Sequence, residues 1–286
     1  MSSPSSAADR LGLALFALLA LAPIAAGLAY AALYSVGLAG LLSHGFTLSA
    51  WARVATSAEL WSAVALSVFV AVMVALLTTA LALPLAMALR ARLESGWLAD
   101  VVSLPLAIPG TVAAFLGLQL LAGAGLVSRI AYALGLTGGI AGFPELVHDR
   151  ALVGVIAVHT FLAVPFFVLL FVELHRSERV SAFQELAATL GASRRQRLLR
   201  VTLPLLLRRA VPVLGLLLAV VLGSFEVPLL LGRQSPQMLS VLAYRKYGFF
   251  DLAQRPEAFA LALGYTLLVL AAALVTAVRG ARASRA

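Results

Sequence analysis

Polar residues break the apolar pattern of this 286-residue chain only at intervals, and they leave six long apolar runs. A membrane-crossing helix needs about 20 predominantly apolar residues. Segments 11–42, 60–89, 98–122, 151–174, 210–231 and 258–278 all meet that requirement. The first two exceed the thickness of the hydrocarbon layer, so they tilt or project beyond it. Segment 123–142 fits no class cleanly: 130–136 is apolar, but Arg129 and the glycines suit a short interfacial helix. Segments 43–59 and 233–257 read as outer loops carrying a few aromatics for the interface. The pattern predicts an all-α polytopic membrane protein with six transmembrane helices. It divides into a cytoplasmic tail (1–10), a first helix with its outer loop (11–59), a core of five helices (60–278) and a second cytoplasmic tail (279–286). Arg10 followed by residues 11–22 also has the form of a cleaved signal. The apolar run continues to Leu42 and no A-x-A site ends it cleanly, so a retained first helix is expected.

Composition agrees with lipid as the main solvent. Hydrophobic residues make up 62% of the chain and charged residues 12%, about half the charge of a soluble domain. The net charge of +9 rests on arginine, because Lys246 is the only lysine. These cations lie between apolar spans rather than along one folded face, which argues against nucleic acid and for a role in orientation. Counted on alternate sides of the six spans, Lys and Arg number 14 against 7. The positive-inside bias therefore predicts cytoplasmic termini and a cell-membrane location. With no cysteine, disulfides, thiolate catalysis and Cys-ligated metals are excluded.

The fourth loop, residues 176–209, is cytoplasmic on that count and is patterned. Ser181 and Gln184 have the spacing of a capping box. Phe183, Leu186, Ala187 and Leu190 then fall on one helical stripe, expected to pack within the loop. Gly191 is placed to end that helix, and Ser193 with Gln196 repeats the box to open a second helix toward Leu203 and Pro204. Glu185, Ala188 and Thr189 lie opposite the stripe, where small neighbours would let a partner approach an acidic group.

The run Glu185-Leu-Ala-Ala-Thr-Leu-Gly191-Ala192, followed by Leu203-Pro204, resembles the EAA loop of permease subunits in binding-protein-dependent type I ABC importers. Glu185, Gly191 and Pro204 match the family spacing, whereas Leu186 stands where that family usually has Ala. The resemblance implies a docking element for an ATPase, formed by Phe183, Glu185, Leu186, Ala187, Ala188, Gly191, Ala192, Leu203 and Pro204. It further implies two ATPase subunits that hold ATP and Mg, an extracytoplasmic binding protein, and a second permease subunit, expected to be a paralogue. Segments 223–232 and 239–257, including Tyr244-Arg-Lys-Tyr247, look most like the spermidine/putrescine branch. Related branches carry sulfate, molybdate, ferric iron, thiamine or a phosphonate.

Within the spans, Pro105 and Pro109 mark the best candidate for a bent pore-lining helix. Glu226, beside Phe225, is either a pathway carboxylate suited to a cationic solute or an interface residue paired with Arg233. Gln119 and His159 read as intramembrane polar groups that bond a neighbouring helix; Gln119 is also kept as a pathway candidate. No catalytic set, phosphate-binding Gly-rich loop or metal-ligand spacing is present. The expectation is therefore a transport subunit rather than an enzyme, with no cofactor or metal of its own. A secondary transporter driven by an ion gradient is the rival class, and it would call for inverted repeats or paired intramembrane charges.

Overall fold

The computed structural model describes residues 7–43, 45–139 and 142–283. Among these the secondary structure is helical, without strands. Six helical segments are long and apolar enough to cross a membrane: Leu11–Ser35, Ala58–Glu94, Gly110–Ala133, Val153–Ser177, Arg194–Gly223 and Leu252–Val275. The protein is thus an all-α polytopic membrane protein, as the apolar runs predict.

The chain divides into two compact units, the first formed by residues 1–61 and 242–267. It contains α1 (Ala7–Phe16), joined by a π turn to α2 (Ala22–Ser35), then α3 (Ser49–Thr56). Most of its large side chains along α1 and α2 face outward, with Leu13 69% and Ile24 62% exposed; a helix apolar all round is at home in lipid. Tyr34 at the end of α2 stacks on Phe259 at 4.5 Å, and Trp51 Nε1 of α3 donates to Ser35 Oγ at 3.1 Å.

The second unit comprises residues 62–241 and 268–286. Its helices are α4 (Ala58–Ser95, entering from the first unit), α5 (Leu98–Ser103), α6 (Gly110–Leu121), α7 (Leu126–Ala133), α8 (Val153–Ser177), α9 (Val180–Thr189), α10 (Arg194–Arg197), α11 (Leu203–Gly223) and α12 (Glu226–Leu231). Two further helices, α13 (Leu239–Tyr247) and α14 (Arg255–Ala283), complete the chain. The core forms where α4, α8 and α11 meet. Ala82, Leu83 and Ala86 of α4 pack with Phe167, Phe171 and Val172 of α8 and with Leu206 and Ala210 of α11. Along α4, Ala63, Ser67, Val70, Val74, Thr78, Ala82 and Ala86 are buried at spacings of three or four residues. Small side chains in such a stripe let backbones approach closely, which is how helices pack where lipid supplies no hydrophobic contrast. Leu76 and Leu81, off that stripe, are exposed.

Every span shifts somewhat from its sequence boundaries, the first ending at Ser35 rather than Leu42, and two differ most. The third is interrupted rather than bent: after α5 a 3-10 turn covers Leu104–Ala107, and Ile108 is extended (φ −78°, ψ 119°) before α6 begins. Pro109 causes this, since its ring pushes the preceding residue out of helical geometry. The spanning segment is therefore Gly110–Ala133 and takes in α7, within the stretch that the pattern left ambiguous. The fifth span begins earlier than expected, at Arg194, and ends at Gly223, where Ser224 turns extended.

Candidate functional site

The hairpin between α8 and α11 forms because its turns are specified residue by residue. Arg179 adopts a left-handed conformation (φ 49°) that ends α8 and starts α9. The first capping box does not form, because α9 starts at Val180 and takes Ser181 and Gln184 inside the helix. There Ser181 Oγ accepts from Arg90 Nη1 at 3.1 Å, and Gln184 Nε2 donates to Thr202 Oγ1 at 2.6 Å. These bonds and buried Val180 fix the inner face of α9.

At the other end, Gly191 has φ 83°, a conformation glycine adopts without a Cβ penalty. Its N–H donates to Ala188 O at 3.0 Å, and Ala192 N–H reaches back to Ala187 O at 2.9 Å. This pair of bonds is the Schellman closure of a helix. The second capping box forms as read: Gln196 N–H donates to Ser193 Oγ at 3.3 Å, and Ser193 N–H donates to Gln196 Oε1 at 2.8 Å. From there the chain runs through a π turn at Leu198–Thr202 into α11. That wider turn falls just before Pro204, whose ring would otherwise press on the carbonyl one turn back. The second helix of the hairpin and the fifth span are therefore one continuous rod.

The apolar stripe of α9 does not pack inside the hairpin. Phe183 is 52% exposed, Leu186 60% and Leu190 81%. Glu185 and Ala188 are exposed too, with Ala187 partly covered. The inner face is held by the hydrogen bonds of Ser181 and Gln184, which leaves the hydrophobic residues pointing away. Leu186 thus stands on the outward face, so an Ala-to-Leu difference there does not change how the loop packs. Leu203 and Pro204 are half-buried where the rod joins the core.

Of the residues named for a pathway, three come together. Glu226 opens α12 and lies against the start of α6, with Oε2 3.9 Å from where a Cβ on Gly110 would stand. Phe225 precedes Glu226, and Pro109 precedes Gly110. An exposed carboxylate at the N-terminus of a helix is favoured by the unpaired N–H groups there. Arg233 is not its partner: its Nε donates to Ser235 O at 2.8 Å, and its Nη1 faces Arg150 O at 3.5 Å. Pro105 sits apart in the 3-10 turn, and Gln119 is exposed more than two turns further along α6.

His159 is buried on α8, yet its Nε2 has no hydrogen-bond partner among the described residues, so it bonds no neighbouring helix through that atom. His148 and Asp149 have structural work: the His148 ring and backbone meet the carbonyls of Leu230 and Leu231, and Asp149 accepts from Ala151 and Val153 at the start of α8. His44 lies outside the described residues. Among the described residues no group of three or more His, Asp or Glu is placed to hold a metal. In the first unit, Lys246 pairs with Glu257 at 3.0 Å, Arg53 pairs with the same carboxylate at 2.6 Å, and Arg245 pairs with Glu59. The cations of the Tyr244–Tyr247 run therefore tie helices together.

A bundle of lipid-facing helices carrying a rigid, outward-facing hairpin is the class of protein that these features define. No known protein-family profile matches the chain, and no curated protein matches it. Solved structures do. One is a chain from the crystal structure of a bacterial ABC transporter involved in import of the acidic polysaccharide alginate. It is 19% identical, covers 97% of this chain and 94% of its own, and has a TM-score of 0.64. A second comes from the bacterial alginate ABC transporter in complex with an alginate pentasaccharide-bound periplasmic protein. It is 20% identical, covers 96% and 91%, and has a TM-score of 0.60. The fold is shared over nearly the whole of both chains.

Proposed function

We propose that this chain is the pore-forming permease subunit of an ABC importer. The observation that carries the reading is α9, where Phe183, Leu186 and Leu190 form an exposed apolar stripe and Glu185 is exposed beyond its edge, on a hairpin closed by its own hydrogen bonds. An exposed apolar stripe is costly in water and suits a partner's groove. The likeness of the whole fold to chains of an alginate ABC transporter supports the same reading. So does the spacing of Glu185, Gly191 and Pro204, which resembles the EAA loop.

In this reading α9 docks into an ATPase subunit, with both termini and the hairpin on the cytoplasmic side of the cell's inner membrane. ATP and Mg sit on the partner chains, and this chain hydrolyses nothing. Closure of the ATPase pair moves α9. The Gly191 turn and the Ser193 box pass that movement to the helix from Arg194 to Gly223, a rod of roughly 45 Å at 1.5 Å per residue. Its far end adjoins Phe225 and Glu226, so a push at the hairpin shifts the junction of α6 and α12. A second permease subunit completes the pore, and a binding protein delivers the solute from outside. The exposed carboxylate of Glu226 favours a cationic solute, with a polyamine as the substrate class.

Reconstitution tests the function. Proteoliposomes containing this chain, its second permease subunit, an ATPase and a binding protein are expected to accumulate labelled spermidine only with ATP inside the ATPase compartment. Uptake by this chain alone, driven by a proton or sodium gradient without ATP, would replace the importer with a secondary transporter.

A further inference from the structure

On the inner side of the hairpin, facing away from the docking stripe, lies a cavity of about 570 Å³ that the importer reading leaves without a role. Its polar lining is cationic: Arg90 of α4 and Arg194 and Arg197 of α10, with His175 of α8 and Gln184 of α9. No carboxylate lines it. Among the described residues none of the three arginines makes a salt bridge, although Arg209 and Arg176 nearby in sequence do. Arg197 Nε is buried and has no hydrogen-bond partner there. Arg90 is oriented by its contacts with His175 Nδ1 at 3.0 Å and Ser181 Oγ at 3.1 Å. The remaining wall is apolar, with Leu83, Pro84, Met87, Leu198 and Leu203.

We infer that this cavity binds a phosphate group. Three guanidinium groups line one cavity with no carboxylate in its wall and, among the described residues, no salt bridge; Glu94 near His175 is the carboxylate that acts on that ring from outside the lining. An anion with several acceptor oxygens relieves the repulsion between the three arginines. Guanidinium pairs with phosphate by short, charge-assisted hydrogen bonds, often two at once. The buried Arg197 Nε gains the partner it lacks. The apolar wall admits the glycerol and upper acyl carbons of a phospholipid, and basic pockets between membrane helices hold anionic headgroups in this manner. Free phosphate offers the same chemistry. A bound phosphate would brace α4, α9 and α10 against each other beneath the docking face. The inference requires only the chain and a membrane, and stands whether or not the protein is an importer.

The test uses the full chain with Arg194→Gln, Arg197→Gln and the double variant. Arg195→Gln, which removes an equal charge from a residue outside the cavity lining, is the control. In one arm, phosphatidylglycerol and phosphatidylcholine are offered in equal amounts, and retained lipid is counted by native mass spectrometry. In the other, inorganic phosphate is titrated in detergent and the shift in Tm is followed. Each substitution is expected to weaken binding roughly tenfold, while the control matches wild type. Loss of phosphatidylglycerol retention identifies a headgroup site; loss of only the phosphate-induced shift identifies a site for the free anion. If wild type and the double variant behave alike in both arms, the inference is overturned.

Discussion

Phe183→Asp is expected to strip the ATPase from the purified complex while leaving the chain itself folded. In the free chain Phe183 is half exposed, so the substitution opens no internal cavity. In the complex its ring would be buried, and burying such a side chain contributes about 1.5–3 kcal/mol. An aspartate in the same place loses that contribution and adds an unpaired charge to an apolar groove. The loss amounts to roughly 30- to 150-fold in affinity for a deficit of about 2–3 kcal/mol. Phe183→Leu keeps the apolar contact and should retain most of the ATPase. Co-purification with an unchanged Tm of the permease chain separates this outcome from simple misfolding. Equal recovery of ATPase with wild type and Phe183→Asp would remove the stripe from the interface.

The second large effect concerns stability and lies at the opposite end of α8. Gly154→Ala is expected to destabilise the bundle by about 1–3 kcal/mol, the cost of overpacking a tight contact. A Cβ there would run into the backbone carbonyl of Leu146 and come within 3.2 Å of Leu231 Cδ2. A backbone oxygen cannot rotate aside as a side-chain tip can, so the segment before α8 must move, and α12 with it. Gly27→Ala is the comparison, since no atom lies within 4 Å of its Cβ position. That change in an exposed helix is expected to be neutral or stabilising by up to about 1 kcal/mol. Thermal unfolding in detergent checks both, and an unaltered Tm for Gly154→Ala would show that α8 and α12 are not packed as described.

Membrane residence and the helix count were legible because apolar runs long enough to span a bilayer have few other uses. Gly191 and the Ser193 box were legible because each closes a helix end using only local atoms. The Ser181 box was not. Its spacing is correct, but the helix begins two residues earlier, with Arg179 as its cap, and Arg90 and Thr202 offer tertiary partners that local spacing does not reveal. The orientation of the α9 stripe was hidden for a related reason. Periodicity shows that four residues share a face and says nothing of what covers it; here Gln184 and Ser181 hold the inner face instead. Likewise, the apolar stretch through Gly223 to Leu231 reads as one span, although Ser224 turns extended and α12 starts anew. Hydropathy is insensitive to such a break. Yet the break is what exposes Glu226 beside Gly110, so the pathway candidates drew together only in three dimensions.

The central claim is that the outward face of α9 is where an ATPase sits. The chain contains no cysteine, so a single one introduced at Leu186 is its only thiol. Joined to the complex in native membranes through a short thiol-to-amine cross-linker, Leu186→Cys should yield one product of permease plus ATPase mass. A cysteine at Leu76, on the exposed side of α4, should yield none. Cross-linking from Leu76 but not from Leu186, or from neither in a complex that still copurifies, would contradict the account.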